Sequence, residues 1–120
     1  MIPLNELVVY KTAMEIGEVA WKLTEEWTQF QRDTLGKQIV RAADSIALNI
    51  AEGYGRFSYK ENKQFCYYSR GSAFETFSGL NKAYDRKLIS EENYVSLKVK
   101  FEQFFKLLNA YIKSIGNGGT

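Results

Sequence analysis

Histidine is absent from the 120-residue sequence. That removes imidazole acid–base catalysis, Ser-His and Cys-His nucleophile pairs, and every metal site that needs a His ligand. A single cysteine, Cys66, permits no internal disulfide, and a free thiol suits a reducing compartment. The one proline, Pro3, stands at the front edge, so nothing after it breaks a helix. Runs of β-branched residues flanked by turn residues are missing, which leaves strands without support. No apolar run approaches a membrane span, and the N-terminus shows no basic-then-apolar leader. A cytoplasmic chain without a membrane partner is therefore the expectation.

What is present is ordinary globular material: 45% hydrophobic and 25% charged residues, enough for one domain and too apolar for disorder. Periodicity organises it into four helices. Val9, Ala13, Ile16, Ala20, Leu23, Trp27 and Phe30 repeat at four- and three-residue steps, with Leu7, Tyr10, Met14, Gly17 and Trp21 as a second stripe. This predicts a first helix over about 5–30. After a polar break at Gln31, Arg32 and Asp33, with Asp33 or Thr34 as cap, Leu35, Ile39, Ala42, Ala43, Ile46, Ala47 and Ile50 mark a second helix. Gly53 and Gly55 are expected to end it through left-handed backbone. Ser58 and Glu61 form a capping box for a third helix reaching about Leu88, with a seam of Phe65, Ser69, Ala73, Thr76, Leu80 and Ala83. Ser90 starts a fourth, whose heptad is Tyr94, Leu97, Phe101, Phe104, Leu108, Tyr111 and Ile115. Short connections between four helices predict an all-α, antiparallel up-down-up-down bundle over 1–115, with 116–120 as a flexible tail.

Candidate chemistry is sparse. Arg41, Ser45, Asn49 and Glu52 follow at steps of four, four and three, so they share one face of the second helix, with Arg56 just beyond. Because alanines and isoleucines flank them, the line reads as a buried polar network, a solvated face, or a ligand site. Gly53-Tyr54-Gly55-Arg56 is glycine-rich, but a dinucleotide loop needs a preceding strand, and a helix stop fits better. Glu15 and Glu18 have bundle metal-site spacing without the required histidines, so a solvated face is the better reading and no metal or cofactor is expected. Cys66 lies on an apolar face and reads as core.

Two features point outward. Tyr59, Phe65, Tyr67, Tyr68, Phe74, Phe77 and Tyr84 crowd the third helix and point around most of its circumference. A monomeric core needs one face, so several are expected at a subunit interface, with base stacking on a single strand or half-buried tyrosines with wet hydroxyls as the alternatives. Charge is also uneven: six basic and eight acidic residues from Met1 to Ser58, ten and six from Tyr59 to Thr120. Arg56, Lys60, Arg70, Lys82, Arg86 and Lys87 are the candidate nucleic-acid contacts, although lysines scattered on amphipathic helices also serve as ordinary solubilising charge.

Three stretches carry a family likeness: Leu7–Ala13 (LVVYKTA), Arg41–Arg56 (RAADSIALNIAEGYGR) and Leu88–Tyr94 (LISEENY). With Gly71-Ser72-Ala73-Phe74-Glu75 matching a Gly-Ser-x-x-Glu pattern, the chain resembles the four-helix-bundle family of proteins encoded by intervening sequences in bacterial 23S ribosomal RNA genes. The accessory variability protein of diversity-generating retroelements is a relative of that family. The resemblance implies a bundle that assembles into a ring, typically a pentamer, and, in the strongly basic retroelement relatives, binding to nucleic acid and to a reverse transcriptase. By position, Arg41, Ser45, Asn49, Glu52, Gly53, Gly55 and Arg56 carry the family signature, and no catalytic role comes with them. The expected partners are further copies of the chain and, alternatively, RNA or DNA. No small-molecule substrate is evident.

Overall fold

The computed structural model describes residues 2–116. A 3-10 turn at Leu4–Glu6 leads into α1 (Val8–Glu25), and α2 (Lys37–Tyr54), α3 (Tyr59–Asp85) and α4 (Glu91–Ser114) follow. No strand occurs among the described residues. The predicted seams are the observed ones except at Phe30, which is exposed. Val9, Ala13, Ile16 and Ala20 of α1 are buried against Ile39, Ala43, Ile46 and Ile50 of α2, then Cys66, Ala73, Leu80 and Ala83 of α3, then Leu97, Phe101, Phe104 and Leu108 of α4.

Contacts fix the direction of each helix. The Tyr54 hydroxyl at the end of α2 donates to the Ile2 carbonyl ahead of α1 at 2.7 Å. Gly53 lies against Asn62 and Gly79 against Ile39, so the end of α2 meets the start of α3 and the reverse. Tyr84 stacks on Tyr94, Phe74 on Phe105, and Gly116 rests on the Tyr59 ring, which runs α4 back along α3. Sequential neighbours therefore run in opposite directions, and Lys100 of α4 reaches Glu15 of α1 at 2.7 Å to close the circle of four. The bundle measures 50 × 24 × 21 Å, which suits a 27-residue α3 of about 40 Å at 1.5 Å per residue.

Boundaries depart from the sequence reading in four places. α1 stops at Glu25, not near Phe30, because Thr28 caps the next segment. Its hydroxyl accepts from the Gln31 N–H at 3.2 Å, and the Gln31 side chain accepts from the Thr28 N–H at 3.0 Å. This box displaces the expected Asp33 or Thr34 cap, turns Trp27 inward and leaves Phe30 outside. From Gln29 the chain is helical into α2, through a π-helical stretch at Arg32–Gly36 where Lys37 N–H reaches the Arg32 carbonyl.

α2 does not end on a left-handed glycine. Gly55 has φ −80° and ψ −3°, and no described glycine has positive φ. Gly53 serves close approach instead: a Cβ there would lie 2.9 Å from the Asn62 carbonyl oxygen and from the Phe65 Cβ. The left-handed residue is Lys87, φ 62°. It ends α3 three residues before the expected Leu88, with Leu88 N–H on the Ala83 carbonyl and Lys87 N–H on the Tyr84 carbonyl. The Ser58 box is half made: its hydroxyl accepts from the Glu61 N–H at 3.1 Å, and no return bond from the Glu61 carboxylate forms among the described residues. Ser90 caps α4 through Asn93 as expected of a helix start. Of the expected tail, residues 117–120 lie outside the described residues.

Candidate functional site

α2 packs Ile39, Ala43, Ile46 and Ile50 inward, so its polar line emerges at the opposite edge. Arg41 and Glu52 are exposed, and Ser45 and Asn49 are half-buried. The contacts along the line are local. The Asn49 amide donates to the Ser45 carbonyl at 2.8 Å, and the Arg56 guanidinium donates to Glu52 at 2.8 Å. That ion pair sits in water at both ends and contributes under about 1 kcal/mol. Arg56 also lies over the Phe65 ring, 4.8 Å from its centroid. Within one chain the line is therefore a partly wetted edge rather than a buried network bridging helices. Of the signature glycines, Gly53 is buried in the α2–α3 contact and Gly55 is exposed in the turn.

The basic candidates do not converge. Arg56 and Lys60 stand at one end of α3, Arg70 near its middle, and Lys82, Arg86 and Lys87 at the other end. Lys60 and Lys82, 22 residues apart, are separated by about 33 Å along the helix. All six are exposed. Arg86 lines an open hollow of about 480 Å³ with the exposed Phe30, Gln31, Thr34, Leu35 and Leu88.

Cys66 is fully buried, and burial pushes its thiol up to about 11 from an ordinary 9.0. A thiol held neutral in this way is a core residue, as the sequence indicates. Tyr111 is likewise raised, chiefly by burial and against a hydrogen bond with Asn62. Glu15 takes Lys100 at 2.7 Å, and no group of three or more His, Cys, Asp or Glu side chains converges among the described residues.

Periodicity overlooks one site. Leu48, read as part of an apolar helix with little left for water, is 67% exposed. It points away from the Ile46–Ile50 seam because two residues turn a helix by about 200°. With Tyr10, Met14, Glu18 and Asp44 it borders an open groove of about 250 Å³ between α1 and α2, floored by Ala13, Gly17, Ala43 and Ala47. Gly17 admits Asp44: a Cβ there would stand 3.0 Å from the Asp44 carboxylate. Partial burial and the neighbouring Glu18 raise the Asp44 carboxyl above its ordinary range. The signal in the sequence was the phase of Leu48 on α2, opposite Ile39, Ile46 and Ile50.

Exposed aromatic and apolar groups continue along α1 and α3. Trp21, Tyr67 and Phe74 are 54%, 52% and 51% exposed. Phe74 stacks on Phe105 of α4, with centroids 4.5 Å apart, and leaves its outer side in solvent. No described helix is long and apolar enough to cross a membrane.

Comparison with known proteins agrees with this architecture. A crystal structure of a protein of unknown function from the S23 ribosomal protein family of Bacteroides thetaiotaomicron VPI-5482 is similar, with a TM-score of 0.78 and 25% identity over 89% of this chain and all of that one. No curated protein matches the chain. Residues 5–110, which span all but the outermost turns of the bundle, match the 23S rRNA-intervening sequence proteins, and the chain belongs to that family.

Proposed function

We propose that the chain is a non-enzymatic subunit of a homo-oligomeric ring of five copies, and that its work belongs to the assembled object. The carrying observation is the run of large apolar side chains left in solvent on helices whose cores are already complete: Met14, Trp21, Leu48, Tyr67 and Phe74. Exposed apolar groups of this kind, Met14 and Leu48 at the α1–α2 groove and Tyr67 and Phe74 on α3, mark protein contacts. A chain without histidine and with its one thiol buried supplies neither a Ser-His nor a Cys-His pair. Light scattering on the purified chain tests the reading. The expected mass is about five times 13.8 kDa, and a clean monomer at tens of micromolar overturns it.

A second reading, binding of RNA or DNA, is favoured by Arg86, which lines one hollow with the exposed Phe30, a pairing of cation and aromatic ring that suits a single strand. A ring would gather several copies of this weakly basic end and strengthen the local field. Gel shift with single-stranded RNA at low salt checks it. Binding should weaken steeply with salt, Arg86→Glu with Lys87→Glu should weaken it, and Arg56→Glu with Lys60→Glu should weaken it less. Absence of any shift ends this reading.

A further inference from the structure

We infer that the ring contact is heterologous: the α1–α2 groove edge of one copy, led by Leu48 with Glu18 and Asp44 beside it, seats on the α3 face of the next copy at Gly71, between Tyr67 and Phe74 and next to Arg70. The inference rests on the assembly reading and specifies which surfaces carry it.

Shape is the first argument. Gly71 is exposed in the middle of α3, and a Cβ added there meets nothing within 4 Å. An interior glycine weakens a helix relative to alanine. Gly53 and Gly79 repay that cost by admitting a neighbouring helix within the chain, and Gly71 admits none. It leaves a saddle one turn from Tyr67 on one side and about one turn from Phe74 on the other, both half in solvent. Leu48 is the complementary knob, an apolar side chain projecting from α2 where the adjoining groove is floored by Ala43, Ala47 and Gly17.

Charge is the second argument. The Leu48 edge carries Glu18 and Asp44, which repel each other and have no ion-pair partner among the described residues. The Gly71 saddle carries Arg70, which is exposed and also has no ion-pair partner among the described residues. Asp44 lies one turn before Leu48 and Arg70 adjoins Gly71, so seating the knob brings the cation within reach of the acids. The two surfaces differ, so each copy offers one and receives the other, a head-to-tail contact that builds a ring when its rotation closes.

Two variants at exposed positions test the pairing. Leu48→Arg places a charge in the saddle against Arg70, and Gly71→Trp fills the saddle. Circular dichroism should show both folded, and light scattering should give the single-chain mass for each. Mixed one to one, they retain one intact pair of surfaces between them and should form a dimer of the two variants that grows no further. A wild-type chain that is itself monomeric overturns the assembly reading. A wild-type oligomer that survives either substitution overturns this pairing and leaves assembly standing, as does a mixture that stays monomeric.

Discussion

The α2–α3 seam and the α4 seam solve the same packing problem in opposite ways. Where α2 meets α3, small residues stand at the contact: Gly53, Ser69 and Gly79. The helices come close enough that the Ser69 hydroxyl donates to the Ile46 carbonyl across the seam at 2.7 Å. Where α4 closes the bundle, the filling is aromatic. Phe101 and Phe104 are buried, with Phe77, Tyr84 and Tyr94 stacked or tilted around them. The first seam is held by backbone proximity and has no room to grow. The second is held by ring volume and cannot afford to shrink. Opposite substitutions should therefore break them.

The largest effect is expected at Phe104, which is completely buried. Phe104→Ala removes most of a ring that its neighbours cannot replace, costing about 3–5 kcal/mol. The denaturation midpoint should fall accordingly. At the small-residue seam the same logic runs backwards. Gly53→Ala adds one methyl 2.9 Å from the Asn62 carbonyl oxygen, and a backbone atom cannot swing aside. Overpacking of about 1–3 kcal/mol outweighs the alanine's helix gain of under about 1 kcal/mol. Urea unfolding that shows Gly53→Ala neutral or stabilising would mean the seam is looser than its distances imply.

How much the sequence disclosed follows the same divide. The α4 heptad is legible because large apolar residues at i, i+3 and i+4 have one interpretation. The α3 seam is legible too, since Ser69 and Thr76 take local or cross-helix backbone bonds and sit where apolar residues would. The glycines are harder. Gly53 reads as a helix stop next to Gly55, but neither has left-handed backbone, and what calls for a glycine at 53 is the closeness of Asn62, a tertiary fact. Helix ends misread for a related reason: the Thr28–Gln31 box and the Asp33–Thr34 alternative are locally equivalent, and the burial of Trp27 decides between them. The candidate site was half legible. The phase of Arg41, Ser45, Asn49 and Glu52 is right, but whether that edge is dry depends on which neighbours stand beside α2, and there it is partly wet. Leu48 escaped because α2 was read by its apolar composition, although its phase, about 200° from Ile46, already sets it outside the seam.

Ser69 offers a smaller test of the close seam. Ser69→Ala removes one hydroxyl and leaves the Ile46 carbonyl with its own helical bond, so no buried acceptor is orphaned. The expected loss is about 1 kcal/mol, the net worth of one hydrogen bond. A loss of several kcal/mol would indicate that the serine also sets the helix spacing.

The smallest expected effect lies at the corners that join the two seams, and it has the opposite sign. The α2–α3 corner is unstrained, with Gly55 in right-handed backbone. The α3–α4 corner places Lys87 at φ 62°, a conformation that disfavours any residue with a Cβ. Both corner bonds there, from Lys87 and Leu88 to Tyr84 and Ala83, come from backbone N–H groups and survive substitution. Lys87→Gly should relieve about 1–2 kcal/mol of strain and add about 0.5–1 kcal/mol of chain entropy to the unfolded state. The balance is a stabilisation of about 0.5–1 kcal/mol, visible as a higher thermal midpoint. Gly55→Ala, at the unstrained corner, should show no comparable backbone penalty, since its φ and ψ suit any residue and a Cβ would meet only ordinary contacts at 3.7 Å. If Lys87→Gly lowers the midpoint instead, the lysine side chain supports the corner in a way its backbone angles do not show.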